Sequence, residues 1–193
     1  MSSNFQEPAN LQEKAGPGFS GLPALVAIGL IVIVGLIALY VFVISQSEAP
    51  VVYDPEEVVY DQPLHGSYIM DSRRTTVALP DFDDPLPLLD LPSTFHDMGR
   101  VRAQSLITHI FVIQNLGVGP LTVVQLYTTC DYVTADLSGS IIPPGKVALL
   151  TITLDTARAY QLGQRMVRRG AVLTTNDPHQ QETTVWVQAL IAP

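Results

Sequence analysis

Two kinds of hydrophobic patterning divide this chain. From Leu22 to Ile44, 23 residues pass without a charged, amide or imidazole side chain. At about 1.5 Å per residue such a helix is roughly 34 Å long, enough to cross a hydrocarbon core of about 30 Å. The pattern predicts a transmembrane α-helix, with Pro23 harmless in its first turn and Tyr40 suited to the interface. A cleaved secretory signal is the rival reading, because Ser47 and Ala49 imitate small cleavage-site residues. Against it stand the length of the run, a flank with only Lys14, and Pro50 just beyond the cut. Lys14 precedes the span and no Lys or Arg follows until Arg73, so the charge bias puts the N-terminus in the cytoplasm and the rest outside it.

From residue 93 onward the apolar residues come in short β-prone runs. Strands are predicted over Leu106–Gln114, Leu121–Thr129, Val147–Leu154, Met166–Thr174 and Thr183–Ile191, with shorter ones near Phe95 and Val133. Turn chemistry separates them: Asn115-Leu116-Gly117, Ser138-Gly139, Pro143-Pro144-Gly145 and Asn176-Asp177-Pro178. About seven strands in about 100 residues, with no convincing amphipathic helix, predict a single immunoglobulin-like antiparallel sandwich, all-β in class. A domain of that size buries a core without disulfides, and Cys130 is the sole cysteine.

Charge isolates the segment between. Residues 1–45 are net −1, residues 46–90 net −8, and residues 91–193 net +1. The acidic part also holds Pro50, Pro55, Pro63, Pro80, Pro85 and Pro87, which bars regular helix and central strand. It reads as an extended tether over 45–92, standing off an anionic membrane by like-charge repulsion. The pI of about 4.7 therefore describes the tether, and it argues against nucleic-acid binding.

A freely solvated spacer has no use for the apolar residues found there. Val51-Val52-Tyr53-Asp54-Pro55 is echoed seven residues later by Val58-Val59-Tyr60-Asp61-Gln62, and Leu86, Leu88, Leu89 and Leu91 alternate with Pro and Asp. Either these residues pack on the chain's own domain or they lie in a groove of a partner subunit. The candidate partner-binding residues are Val52, Tyr53, Val59, Tyr60, Leu86, Leu88 and Leu89.

Catalytic chemistry is thin. His65, His96, His109 and His179 have no ligand-type spacing among themselves or with Cys130. There is no nucleophile elbow, phosphate loop, haem-attachment motif or dinucleotide fingerprint. His96-Asp97 imitates half of a catalytic pair, but Asp97 two residues before Gly99 suits bonding to backbone amides. Arg165, Arg168 and Arg169 form the domain's basic cluster: a solvated sheet edge, or a contact for an acidic partner or for the acidic tether. No catalytic residue, metal, cofactor or small-molecule substrate is predicted.

Phe95-His96-Asp97-Met98-Gly99-Arg100-Val101, His109-x-Phe111, Asn115-x-Gly117-x-x-Pro120-Leu121, Thr128-Thr129-Cys130, Ile142-Pro143-Pro144-Gly145, Asp155 and Thr174-Thr175-Asn176-Asp177-Pro178 follow in order. Together they resemble an uncharacterised family of bacterial immunoglobulin-like domains, similar to major-sperm-protein and Hydin-type sandwiches, over residues 94–191. The resemblance implies an interaction module. It also implies Cys-Gly-Cys after the third strand, where this chain reads Cys130-Asp131-Tyr132. Without the second thiol, a vicinal disulfide or two-sulfur metal site is lost, and Cys130 is expected to be a small packed side chain.

The expected organisation is a cytoplasmic tail over 1–21, a transmembrane helix over 22–44, a tether over 45–92 and a sandwich over 93–193. The expected function is that of a non-catalytic, single-pass accessory subunit of the bacterial cytoplasmic membrane. Its sandwich lies outside the cytoplasm and docks onto other membrane-protein subunits. A free-standing periplasmic or surface adhesion module is the alternative. An enzyme or electron carrier would need a metal or cofactor that no motif announces.

Overall fold

The computed structural model describes residues 31–39, 53–69, 77–81 and 84–193, in two units, Met1–Ala49 and Pro50–Pro193. In the first, residues 31–39 are an α-helix (α1), and all nine are exposed. Among the described residues no helix is long and apolar enough to cross a membrane. Residues 22–30 and 40–44 of the predicted span lie outside the described ones.

The second unit is a sandwich of two five-stranded sheets. Its strands are β1 Leu64–Gly66, β2 Leu89–Asp90, β3 Phe95–Arg102, β4 Leu106–Asn115 and β5 Leu121–Thr128, followed by β6 Val133–Leu137, β7 Ile141–Ile142, β8 Val147–Asp155, β9 Met166–Thr175 and β10 Glu182–Ala192. One sheet has the order β1-β6-β8-β4-β2 and the other β3-β10-β9-β5-β7. The seven strands expected from the sequence are β3, β4, β5, β6, β8, β9 and β10.

Period-two alternation explains how the sheets meet. In β8, Ala148, Leu150, Ile152 and Leu154 are fully buried, and in β10 Val185, Val187, Ala189 and Ile191 face the same core. Phe111, Ile113, Leu121, Leu137 and Leu173 fill the space between. At about 25 cal/mol per Å² of apolar area removed from water, this continuous core is the main term holding the sheets together.

Four features depart from expectation. The sandwich is not wholly antiparallel: β3 runs parallel to β10, Phe95 opposite Trp186 and Arg102 opposite Ala192. The chain leaves β3 for the other sheet at Ala103–Ser105 instead of turning back beside itself, and apolar periodicity carries no information on strand direction. Second, the acidic segment contributes β1 and β2, so it is not merely a spacer. These strands have three and two residues, and the prolines that interrupt the segment are tolerated at sheet edges. Third, the two-residue β7 pairs with β5. Finally, a six-residue helix, α2 (Thr156–Gln161), joins β8 to β9, its N-terminus capped by Asp155 accepting from the Arg158 amide. It is too short to show an amphipathic period.

Candidate functional site

The structure separates the apolar residues of the acidic segment into those the domain uses and those it leaves outside. Val52 lies outside the described residues. Tyr53, Val59 and Leu86 are half-buried and Leu89 is buried at 6 % exposure, whereas Tyr60 is 68 % exposed and Leu88 43 %. Backbone bonding holds the segment down as a strap. The Val59 amide donates to Val147 O at 2.8 Å and the Ser140 amide to Gln62 O at 3.0 Å, while Leu116 N reaches Leu88 O at 2.9 Å and Val118 N reaches Leu86 O at 3.0 Å. Glycines make room for it. A Cβ on Gly117 would strike the backbone of Leu86 and Leu88, one on Gly119 the carbonyl of Pro85, and one on Gly139 the Val59 side chain.

Three side chains pin this arrangement. Asn115, fully buried, donates from Nδ2 to Gly119 O and Ile142 O, both at 2.8 Å, and its Oδ1 accepts from Gly117 N at 3.0 Å and Leu88 N at 3.3 Å. Asp177, also fully buried, accepts from Leu89 N at 2.7 Å and His179 N at 2.8 Å. Asn176 accepts from Thr122 N at 2.7 Å. The Asn-x-Gly and Asn-Asp-Pro motifs thus clamp loops and strap together, satisfying backbone groups that burial would otherwise penalise.

A second feature joins residues that the sequence kept apart. Where β5 ends and β6 begins, a cleft of about 610 Å³ is lined by Tyr68, Cys130, Tyr132, Arg168, Arg169 and Trp186 among others. Tyr68 arrives from the strap through a parallel bridge to Thr128. Arg169 is half-buried, lies over the Tyr132 ring at 5.7 Å and donates to Arg168 O at 2.9 Å. Arg168 sits 5.7 Å from the Trp186 ring and 5.4 Å from Phe95, within cation–π range. The basic cluster is therefore not one solvated edge: Arg165 stands over Tyr160 at 3.6 Å, and Arg168 and Arg169 line the cleft.

Cys130 is buried and free. Burial chiefly pushes its thiol up, opposed by hydrogen bonding to Tyr132 and then by Arg169, and burial likewise raises Tyr132, helped by Cys130. A thiol kept protonated is a poor nucleophile. Tyr132 Oη is buried without a hydrogen bond of acceptable geometry, although the thiol and Arg169 are near enough to influence its ionisation.

The histidines form no metal cluster among the described residues. His96 and His109 nevertheless meet, stacked at 3.5 Å and within 5° of parallel, with Phe111 edge-on to His109 at 4.7 Å. Their 13-residue separation gave no sign of this, because β3 and β4 belong to different sheets. His65 Nδ1 pairs with Asp136 at 2.6 Å on the surface. Asp97 takes the structural role expected, accepting from Gly99 N at 2.8 Å.

The family profile described as "Protein of unknown function (DUF1573)" matches residues 89–190. The chain belongs to the DUF1573 family. The match opens at Leu89, so the DUF1573 domain includes the end of the strap and β2. A crystal structure of a protein of unknown function from Porphyromonas gingivalis W83 is similar at 26 % identity and a TM-score of 0.52, over 55 % of this chain and 47 % of that one. The DUF1573 chain thus spans about half the length of that protein. Weaker likenesses are to the Vibrio cholerae VesB protease, at 14 % identity, TM-score 0.43, and 53 % and 31 % coverage, and to the ASH/PapD-like domain 7 of human CEP192, at 6 % identity, TM-score 0.44, and 63 % and 97 % coverage. No curated protein matches this chain.

Proposed function

We propose that this protein is a single-pass membrane protein whose immunoglobulin-like sandwich, held outside the cytoplasm, serves as a non-catalytic accessory subunit by binding other membrane proteins. The observation that carries the reading is α1. Its large apolar residues, from Ile31 at 71 % exposure to Leu39 at 58 %, are exposed on all sides of the helix among the described residues. A helix apolar all round needs an apolar environment, and the uncharged run of 23 residues around it is long enough to span a bilayer. Lys14 before the run favours an inside N-terminus.

Docking is supported by what the strap leaves outside. Leu88, Leu116 at 58 % and Val118 at 77 % exposure form an apolar patch where the strap is bonded to the 115–120 loop, and such patches mark interaction surfaces. Among the described candidate residues the reading favours Leu88 and Tyr60, since Leu89 is spent on the domain's own core. The test is retention. Alkaline carbonate washing should leave the full chain in membranes. Leu88→Ser with Val118→Ser should release it from any complex kept in mild detergent while leaving its thermal unfolding unchanged. Extraction by carbonate would sink the anchor, and an undiminished complex with the double variant would sink the patch. A monomer in every detergent would favour the free-standing adhesion module.

A further inference from the structure

The cleft beside Cys130 has features that packing alone does not explain. Tyr132 is 5 % exposed and lines the cleft, and its hydroxyl, without a hydrogen bond of good geometry, has only the Cys130 thiol and the Arg169 guanidinium as polar neighbours. A buried hydroxyl so poorly satisfied is unfavourable, and a purely structural site would be served as well by Phe. Two guanidiniums, Arg168 and Arg169, share the cleft, and neither has an acidic partner among the described ion pairs; the acid on the same wall, Asp131, is taken by Arg158 at 3.2 Å. Aromatic walls, Trp186 and Tyr68, flank these donors.

We propose that this cleft is a binding site for a carboxylate side chain presented by an extended acidic peptide of a partner protein. The Arg168 and Arg169 guanidiniums supply charge-assisted donors, whose planar forks match a carboxylate. Arg169 lies over the Tyr132 ring, so a carboxylate held by its guanidinium is brought toward Oη, which donates a hydrogen bond to the same anion. Asp131 on the wall disfavours a dianion such as phosphate, by like-charge repulsion. The cleft is open and its volume of about 610 Å³ exceeds the needs of a small free acid, leaving room for an extended peptide to lie across it. Trp186 and Tyr68 then cover the peptide's backbone and neighbouring side chains. The inference rests on the reading of the domain as a binding module, but not on the membrane anchor.

Trp186 is the only tryptophan of the chain, so its fluorescence reports on the cleft alone. The full chain in detergent micelles is titrated with acetyl-Gly-Asp-Gly-amide, with the Asn counterpart, and with inorganic phosphate at matched ionic strength. The Asp peptide should shift Trp186 emission saturably and the other two should not. Arg169→Gln should weaken binding by about tenfold or more, as expected for loss of one charge-assisted bond. Arg168→Gln, at an exposed side chain, gives the same direction should Arg169→Gln fail to fold, and Arg165→Gln serves as the unaffected control. Tyr132→Phe should weaken binding while raising the thermal midpoint, a combination that a merely structural tyrosine does not produce. Equal response to the Asn peptide, saturation by phosphate at lower concentration, no response to any probe, or undiminished binding in both arginine variants would each overturn the proposal. Because the titration involves neither membrane nor partner, its failure leaves the anchor and the Leu88 patch untouched, and theirs leaves it untouched.

Discussion

Gly119→Ala tests whether the strap is part of the fold. The added methyl would collide with the Pro85 carbonyl, and backbone on both sides leaves no flexible side chain to yield. Relief requires lifting residues 85–88. That forfeits the bonds from Val118 N and Gly119 N to Leu86 O, each at 3.0 Å, and from Leu116 N to Leu88 O at 2.9 Å, worth about 1 kcal/mol apiece. It also disturbs Leu89, whose full burial contributes about 1.5–3 kcal/mol. With partial relaxation a loss of about 3 kcal/mol is expected. For a unit of this size that is a fall of roughly 10 °C in midpoint, followed by Trp186 fluorescence on residues 50–193. Gly145→Ala is the comparison: its φ of +72° strains any side chain, but nothing lies within 4 Å, so about 1 kcal/mol is expected. Amide exchange at Leu116 and Val118 should accelerate only in Gly119→Ala. If Gly119→Ala costs no more than Gly145→Ala, the strap is loosely held and the reasoning fails.

Residues 50–193 should be a soluble, folded fragment. Residues 93–193, stripped of β1 and β2, should unfold at a lower midpoint or aggregate; equal stability of the two by calorimetry would contradict the strap's role. Cys130→Ser should cost about 1–2 kcal/mol by burying a hydroxyl in an apolar setting, measured by urea denaturation. Burial raises the folded-state thiol pKa, so the unfolded chain loses that proton first. The thiol's contribution is complete below the ordinary value of 9.0 and is lost as pH rises through the raised one. Alkylation of Cys130 at pH 8 should accordingly be far slower in the native than in the denatured chain, and equal rates would refute it. Asp177→Ala leaves the Leu89 and His179 amides without their acceptor and should cost about 2–4 kcal/mol in the same denaturation assay.

The long strands were legible because each combines period-two burial with β-branched residues and ends at turn chemistry: β8 begins after Pro143-Pro144-Gly145 and β9 ends at Asn176-Asp177. What escaped was non-local. Nothing in Leu64–Gly66 announces pairing with Leu137 to Ala135, since a three-residue edge strand takes its stability from the partner. The apolar residues of the acidic segment were recognised as meaningful, but whether Leu89 faced the chain's own core or another protein depends on Asp177, 88 residues away. The cleft was legible only in pieces. Cys130-Asp131-Tyr132 and the arginine cluster stood out separately, while Trp186 read as an ordinary strand residue until folding placed them around one cleft. The stacked His96 and His109 were invisible for the same reason.

The parallel pairing of β3 with β10 has a mechanical consequence. β3 begins at Phe95 and β10 ends at Ala192, and the two strands run side by side in the same direction from Phe95–Trp186 to Arg102–Ala192. Tension applied between Thr94, immediately before β3, and Pro193, immediately after β10, therefore pulls the strands along their length in opposite senses. Their ladder bonds are loaded together in shear instead of opening one after another, as they would in a hairpin pulled from its open end. Forced unfolding follows the unfolding rate and not the equilibrium stability, so this single pairing gives the domain resistance to pulling beyond what its melting temperature would indicate.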